Sequence, residues 1–451
     1  MRRLFITFLL FASLSSFGQD KLSLKSAEAF YDYAYPMVMM KISQDLMLTS
    51  PLRQNQNTNQ FIMFKQLAQP ENTAVVLGNR NTLYCVAWID LSDGPVLFEI
   101  PKMNNRYYVM PLIDAWTNTF ESLGSRTTGQ KAQKYILTRT DYDGKLPDGY
   151  TQIQCPTSMV WITGRIEADD EEDALKANEL QDEYILKTLN PLDSTKAYAA
   201  TFLSKDIKKA VPYSLEMSPE KFLNVFFALL KDNPTREEDQ TFLKQYSFMQ
   251  DASNWSFGKF SSQDQEIWKR AIQNRQNHFK QSFYAGTEQT TTWDFKIDNM
   301  EDWGTDYYRR AYIAAWGIGA NIPQDAVYGM TQLDANMEQL NGSNTYKISF
   351  EPEGTPEVGG FWSITAYNIE GYLEANAQNR YSSGSNMPLR YNSDGSLDIY
   401  LATTKPKGAA NVNWVPIPQG DFKILFRMYW PSENVLDGNY ILPDLIKSNK
   451  K

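Results

Sequence analysis

The sequence has very little histidine, and this scarcity limits the chemistry available to the protein. Of 451 residues one is histidine, His278. Any triad in which histidine activates a serine or cysteine nucleophile would depend on this residue. Its neighbours Asn277, Phe279 and Lys280 lie in a segment with helical periodicity and offer no catalytic partner. We therefore expect His278 to lie on a helix surface rather than to act as a general base.

Cysteine is almost as scarce, with Cys85 and Cys155 as the two residues of this type. Together with one histidine they are too few for the usual four-ligand zinc site, so we predict no metal. Both fall on predicted strands of one sandwich. They are either small buried apolar side chains or, in an oxidising compartment, a disulfide. The sequence leaves this choice open because it does not fix the distance between the two Cα atoms.

Other common signals of cofactor or polymer binding are also missing. The chain has no glycine-rich loop with the spacing of a nucleotide-binding motif, and we expect no cofactor. The net charge is −9, and no basic stripe occurs. This balance argues against binding to nucleic acids or to anionic membranes, since both require clustered positive charge.

The long apolar run of the sequence lies at its start. Residues 1–18 combine two arginines, an apolar core at 4–14 and small residues before Gln19. These are the features of a cleaved secretory signal peptide, and the core is too short to cross a membrane as a helix. We therefore predict an exported protein, periplasmic or secreted, with no membrane span.

The most informative stretch is 79–129, which predicts four short strands separated by turns. From Leu83 to Leu91 the side chains alternate and one face is uniformly apolar, which is typical of a half-buried strand. Val96–Ile100 is expected to be its return strand, because turn residues separate the two. Short strands at this spacing indicate a β-sandwich. Further strands are predicted at 106–112, 134–139 and 158–166.

Changes in periodicity divide the rest of the chain. Helical spacing after Arg165 and renewed alternation beyond Ala285 predict a mainly β protein with two sandwiches and a helical insert. Leu22–Leu48 is predicted as a helix with its methionine and aromatic side chains on one side. The expected divisions are a signal peptide at 1–18, an N-terminal helical segment at 19–72, a first sandwich at 73–166, a helical insert at 167–290 and a second sandwich at 291–451.

Several long blocks resemble a known pair of bacterial families. NRNTLYCVAWIDLSDGPV, RYYVMPLIDAWTNTF, GSRTTG and VWITGR resemble domain of unknown function 1254. FWSITAYNIEGYL, NRYSSG, NSDGSLDIYL and NWVPIPQGDFKILFRMYWP resemble its usual companion, domain of unknown function 1214. The resemblance implies an immunoglobulin-like sandwich, a helical segment and a jelly-roll-like domain, and it implies no established activity. This chain has Cys85 where serine is common and Asn81 where an acidic residue is common, which weakens any mechanism that needs a carboxylate at position 81.

The candidate site residues are polar and aromatic side chains within these blocks. Tyr84 and Trp88 lie opposite the apolar face of their strand, and loops that follow strands commonly carry the binding groups of sandwiches. An arginine paired with an aspartate beside aromatic rings suits an anionic or hydroxylated ligand. The proposed ligand-binding residues are Tyr84, Trp88, Asp114, Trp116, Asn118, Arg126, Arg380 and Tyr381, and Arg165 and Arg427 are further polar residues of the same blocks.

A structural role for these residues is the alternative interpretation. Asp114 and Arg126 would then be an ion pair that ties a loop to the sandwich, and Trp88 would belong to a core against the helical insert.

The sequence names no reaction. The leading hypothesis is an exported protein that binds a small organic or saccharide ligand. One alternative is a metal-independent hydrolase or lyase that uses carboxylate, arginine and tyrosine groups. Another is a structural envelope protein that forms homo-oligomers.

Overall fold

The structure is a computed structural model that describes residues 21–50, 56–72, 76–189, 198–200, 209–285, 289–295, 303–407, 409–410 and 413–448. The predicted signal peptide lies outside these residues. The protein is mostly β, with four sheets and about 28% helix. A helical segment lies between the two β domains, which confirms the predicted fold class. Within the described ranges, no helix is both long and apolar enough to cross a membrane.

The elements follow one another along the chain with the strands grouped on either side of the main helical segment. The helices are α1 (Leu24–Leu48), α2 (Glu171–Glu183), α3 (Ala210–Ser214), α4 (Pro219–Leu229), α5 (Gln240–Leu243), α6 (Ser262–Ala285), α7 (Tyr307–Trp316) and α8 (Glu433–Leu436). The strands before α3 are β1 (Phe61–Phe64), β2 (Thr82–Asp90), β3 (Val96–Ile100), β4 (Tyr108–Asp114), β5 (Thr119–Gly124), β6 (Gln133–Arg139), β7 (Thr151–Cys155), β8 (Met159–Glu167) and β9 (Ile185–Thr188). The later strands are β10 (Asp294–Phe295), β11 (Ala326–Thr331), β12 (Thr345–Phe350), β13 (Trp362–Asn368), β14 (Ser382–Gly384), β15 (Leu397–Ala402), β16 (Trp414–Pro416), β17 (Phe422–Tyr429) and β18 (Ile446–Ser448).

The first sandwich packs the sheet β1-β2-β8-β4-β5 against the sheet β7-β6-β3-β9. The apolar face predicted for β2 lies in its core, with Leu83, Cys85 and Ile89 fully buried. The prediction that β3 returns alongside β2 is wrong, because β3 pairs with β6 and β9 in the opposite sheet. The turn after β2 carries the chain across the sandwich, so that Val96 and Phe98 of β3 face the same core.

The second sandwich packs the sheet β10-β11-β17-β13-β14 against the sheet β16-β15-β12-β18. In β17 the side chains alternate as the sequence predicts. Phe422, Ile424 and Phe426 enter the sandwich core, and Arg427 and Tyr429 point to the outer face. The outer face of the sheet that contains β17 packs against the first sandwich.

The helices form a layer that covers one end of the outer face of the first sheet. Helix α1 begins with a capping box between Ser23 and Ser26 and packs against α6 and α7. The prediction that its apolar side chains occupy one side is wrong, because Tyr31, Tyr33 and Tyr35 are all fully buried. A helix covered on every side needs no polar face, so its sequence does not show an amphipathic stripe.

Both cysteines are buried and free. Cys85 is completely inaccessible and Cys155 is 1% exposed. The two thiols therefore behave as small core side chains, which is the first of the two alternatives left open by the sequence.

Candidate functional site

The candidate site lies where the outer faces of the two sandwiches meet. Tyr107 and Val109 of the first sandwich pack against Ala326, Phe361 and Tyr429 of the second. The rings of Tyr107 and Tyr429 have centroids 5.5 Å apart. These contacts form one apolar wall of the junction between the two sandwiches.

Arg165 reaches this junction because of its place on β8. Trp161, Thr163 and Arg165 alternate with core residues and so share the outer face of the strand. Arg165 is paired in register with Tyr84 of β2, and its guanidinium lies 5.4 Å from the Tyr84 ring centroid. The side chain is 8% exposed, so its charge is largely removed from water.

The hydrogen bonds of Arg165 go to uncharged oxygen atoms. Its Nη1 donates to the carbonyl oxygen of Thr163 at 3.0 Å and to Oδ1 of Asn321, and its Nη2 donates to the carbonyl oxygen of Gly319 at 3.1 Å. Gly319 and Asn321 belong to the segment that links α7 to β11. This segment therefore lies over Arg165 and holds its head group in place.

Arg427 approaches the junction from the second sandwich. It lies on β17, between Tyr328 of β11 and Ser363 of β13 in the sheet register. Its Nη1 donates to Thr365 Oγ1 at 3.2 Å, and its Nη2 donates to the Leu77 carbonyl at 2.8 Å and to the Tyr367 hydroxyl at 2.9 Å. The side chain is 3% exposed. Arg427 is thus as deeply placed as Arg165.

Among the described residues, no aspartate or glutamate forms an ion pair with Arg165 or Arg427. Burial favours loss of the proton, but the ionised form that the surrounding tyrosines adopt at very high pH outweighs it, so the pKa of both arginines lies above the ordinary value. Both therefore stay charged, and the junction has an excess of buried positive charge.

The tyrosines of the junction stay protonated at neutral pH. Burial raises the pKa of Tyr328, Tyr367 and Tyr429 above the ordinary value for a phenol. Asn79 donates to the Tyr429 hydroxyl at 2.6 Å, which fixes this ring across the two sandwiches. These hydroxyls serve as neutral hydrogen-bonding groups rather than as counterions for the arginines.

Of the residues proposed from the sequence, Tyr84 lies in this junction. Trp88 lies four residues further along the same face and is fully buried, with its ring stacked on Trp161 at 4.8 Å. It packs in the helical core against α1.

Asp114, Trp116 and Asn118 lie together at the far end of β4, away from the two arginines. Asp114 Oδ1 accepts hydrogen bonds from the backbone nitrogens of Trp116 at 2.9 Å and Asn118 at 2.8 Å. Burial raises the pKa of Asp114. The Trp116 indole donates to the Pro234 carbonyl and stacks near Tyr33. In this structure the group shapes a turn and anchors it to the helical layer.

The expected ion pair between Arg126 and Asp114 is wrong. Arg126 Nε instead contacts Asp325 Oδ1 at 2.7 Å. Asp114 is occupied by its own turn, whereas Asp325 lies at the start of the second sandwich and faces the edge of the first. Arg126 therefore joins the two sandwiches rather than tying down a loop within one of them.

Arg380 and Tyr381 flank the junction on the side of β14. The ring of Tyr381 lies 4.9 Å from the guanidinium of Arg80, which is paired with Glu171. Burial lowers the pKa of Arg380. Arg165 and Arg427 were visible in the sequence as charged residues on alternating strands, but nothing in the sequence indicated that both would lie near Tyr328.

Two open clefts and the histidine lie away from the junction. One open cleft of about 520 Å³ is lined by Arg106, which is already paired with Asp173. Another of about 650 Å³ lies at the start of α1 and is lined by aromatic rings and serines. His278 is exposed on α6, with Nε2 3.0 Å from the Tyr308 hydroxyl. In the described part of the chain, no group of three or more histidine, cysteine or acidic side chains is arranged to hold a metal ion.

Comparison with known proteins gives two matches to family models. Residues 58–188 match the model described as Protein of unknown function (DUF1254), and residues 325–433 match Protein of unknown function (DUF1214). Arg165 falls within the first match and Arg427 within the second. None of the curated proteins matches the chain.

Two of the solved structures that match the chain come from Vibrio parahaemolyticus and Burkholderia cenocepacia. The VPA0106 protein from Vibrio parahaemolyticus has a TM-score of 0.71 and 22% sequence identity, covering 94% of this chain and 100% of that one. An uncharacterized protein from Burkholderia cenocepacia has a TM-score of 0.46 and 11% identity, covering 94% of each chain. At this level of identity, the likeness to the Vibrio protein concerns the fold alone.

Proposed function

We propose, for a chain that belongs to the family in which DUF1254 is followed by DUF1214, that the junction between its two sandwiches binds a small organic anion. The protein would act as a binding protein outside the cytoplasm, in keeping with the signal peptide expected at residues 1–18. Recovery of a mature form that begins near Gln19 would support export, and an intact Met1 on envelope protein would contradict it.

The observation that carries the proposal is that no carboxylate among the described residues forms an ion pair with Arg165 or Arg427. A buried charge without a partner costs several kcal/mol (about 3–5 when one member of a buried pair is removed). The neutral oxygens around the two guanidiniums relieve part of this cost, and an anion would relieve the rest. An anionic ligand whose charged group reaches the two guanidiniums would therefore stabilise the folded protein.

The surroundings of the two arginines favour an organic ligand over a simple inorganic ion. Tyr84, Tyr328 and Met330 are partly exposed side chains on the outer faces near the arginines. Rings and a thioether offer an apolar surface for the body of a ligand whose charged group reaches the guanidiniums. This combination suits a carboxylic acid with an aliphatic or aromatic part.

The same surroundings favour binding over acid–base catalysis. The hydroxyls of Tyr328, Tyr367 and Tyr429 have raised pKa values and therefore donate protons weakly and accept them poorly at neutral pH. The one histidine lies on the surface of α6. A hydrolase or lyase mechanism gains no support from the groups that surround the arginines.

Thermal unfolding with a panel of probes tests the proposal. Acetate, benzoate, succinate and phosphate are compared at constant ionic strength, with benzamide and succinamide as uncharged counterparts. We expect the melting temperature to rise with at least one organic acid and with neither amide, since a ligand that binds the folded state stabilises it.

Variants separate this site from non-specific effects. Arg427→Gln should lose the rise in melting temperature, and Arg270→Gln should keep it, because Arg270 is exposed on α6. An equal rise in both variants, or no rise with any acid in the wild type, would refute the proposal.

A further inference from the structure

The two buried arginines come from different sandwiches, and each retains unused hydrogen-bonding capacity. A guanidinium has five N–H groups. At Arg165 and at Arg427, three hydrogen bonds to neutral oxygens account for three of them. At Arg165 the two that are left are Nε–H and one Nη2–H, which share one edge of the guanidinium and match the two oxygens of one carboxylate. At Arg427 they are Nε–H and one Nη1–H, which lie on different edges, so that one of them can donate to a carboxylate oxygen.

Each arginine also has a buried hydroxyl beside it. Thr163 precedes Arg165 on the same face of β8 and is 4% exposed, and Ser363 lies directly opposite Arg427 in the sheet and is fully buried. Within the described part of the chain, neither side-chain oxygen has a hydrogen-bond partner. Buried hydroxyls without partners are uncommon, because each one costs about 1–3 kcal/mol. Each sandwich therefore carries one donor set, which consists of one arginine and one hydroxyl: Arg165 with Thr163, and Arg427 with Ser363.

The two donor sets are connected through Tyr328 and Asn321. Tyr84 contacts Arg165, with the guanidinium 5.4 Å from the ring centroid. Tyr328 lies next to Arg427 in the sheet and accepts a hydrogen bond from Asn321, which also binds Arg165. A ligand with one negative charge would neutralise one guanidinium and leave the other uncompensated.

We infer that the ligand is a small dicarboxylate, with one carboxylate bound by Arg165 and Thr163 and the other by Arg427 and Ser363. This inference rests on the proposed function and narrows its ligand class. A dicarboxylate bound in this way bridges the two sandwiches. Once one carboxylate is bound, binding of the other is intramolecular. The second carboxylate therefore raises the affinity without a larger interface.

Isothermal titration calorimetry with matched acids tests the inference. The probes are butyrate, succinate, glutarate and adipate at constant ionic strength, so that the number of carboxylates and the distance between them vary separately. We expect at least one dicarboxylate to bind about tenfold or more tightly than butyrate. Arg165→Met and Arg427→Met should each reduce that dicarboxylate to about the affinity of butyrate, while Arg270→Met leaves it unchanged.

The outcomes distinguish this inference from the function on which it rests. Similar affinities for butyrate and for every dicarboxylate would overturn the inference and leave anion binding intact. The same follows if one arginine variant abolishes binding and the other has no effect. If no acid binds to the wild type, the proposed function fails as well.

Arg165→Lys and Arg427→Lys, which keep the charge, show whether a loss of affinity arises from loss of charge or from a damaged fold. Partial recovery of affinity supports the inference, and a native circular dichroism spectrum without recovery contradicts it.

Discussion

Asp325 forms an ion pair with Arg126 across the boundary between the two sandwiches, with Arg126 Nε 2.7 Å from Asp325 Oδ1. The Ser122 hydroxyl bonds to the other carboxylate oxygen, and the aspartate side chain is 3% exposed. The backbone oxygen of Asp325 also accepts the Tyr107 hydroxyl at 3.0 Å. One residue at the start of the second sandwich therefore receives three side chains of the first, and this fixes how the two outer faces meet.

Arg126→Ala should lower stability without weakening ligand binding. Loss of the guanidinium leaves the buried Asp325 carboxylate with the Ser122 hydroxyl alone, so we expect the free energy of unfolding to fall by about 1–3 kcal/mol. Urea denaturation measures this change. Arg139→Ala, which breaks a more exposed pair with Asp141, is the matched control and should cost less than about 1 kcal/mol. A large loss of affinity for a carboxylate probe, measured on folded Arg126→Ala protein, would instead place Arg126 in the binding site.

Glu167 predicts a pH dependence of stability. Burial raises the pKa of this carboxyl group from 4.5 to about 7. The folded protein therefore holds the proton more strongly than the unfolded chain, and stability falls as the pH rises from about 4.5 through 7. The shift corresponds to about 3 kcal/mol between the two limits.

Glu167→Gln should remove this part of the pH dependence. Urea denaturation of the wild type and the variant at pH 5 and pH 8 measures it, and Glu172→Gln, at an exposed position on α2, is the control. We expect the wild type to lose stability relative to Glu167→Gln between the two pH values. Parallel pH profiles for these two proteins would show that Glu167 titrates near its ordinary value.

The cysteines should be reduced and unreactive in the native protein. Burial raises the pKa of the Cys85 thiol to about 12 and has the same effect on Cys155. Thiols that are buried and protonated react slowly with disulfide reagents. We expect no labelling by a thiol reagent before unfolding, labelling of both residues in denaturant without a reductant, and no effect of reductant on the melting temperature. Fewer than two reactive thiols in denaturant would indicate a disulfide.

Local patterns in the sequence predict the strands well and their partners poorly. The alternation in β2 and β17 identifies both faces of each strand, because side-chain direction depends on the strand alone. The placement of β3 in the opposite sheet depends on where the turn after β2 sends the chain. The helical periodicity predicts α1 as a helix, but the complete burial of its residues 30–42 follows from the layers around it rather than from that periodicity.

The sequence also identifies the site residues without showing which of them lie together. Arg165 and Arg427 each lie in a block that suggests a family, and each was named as a polar residue of interest. Their meeting depends on the docking of two domains, and no spacing along the chain records that distance. Arg126 shows the same limit, because its partner Asp325 is remote in sequence whereas the expected partner, Asp114, is near.

The most direct test of the account is a crystal structure of the protein with bound 4-bromobenzoate, in which anomalous scattering locates the bromine atom. We expect the bromine in the junction beside Tyr84 or Tyr328, with the carboxylate within hydrogen-bonding distance of Arg165 or Arg427. A bromine peak confined to the cleft at Arg106 or to the one at the start of α1 would contradict the account. So would a protein carboxylate found paired with both arginines.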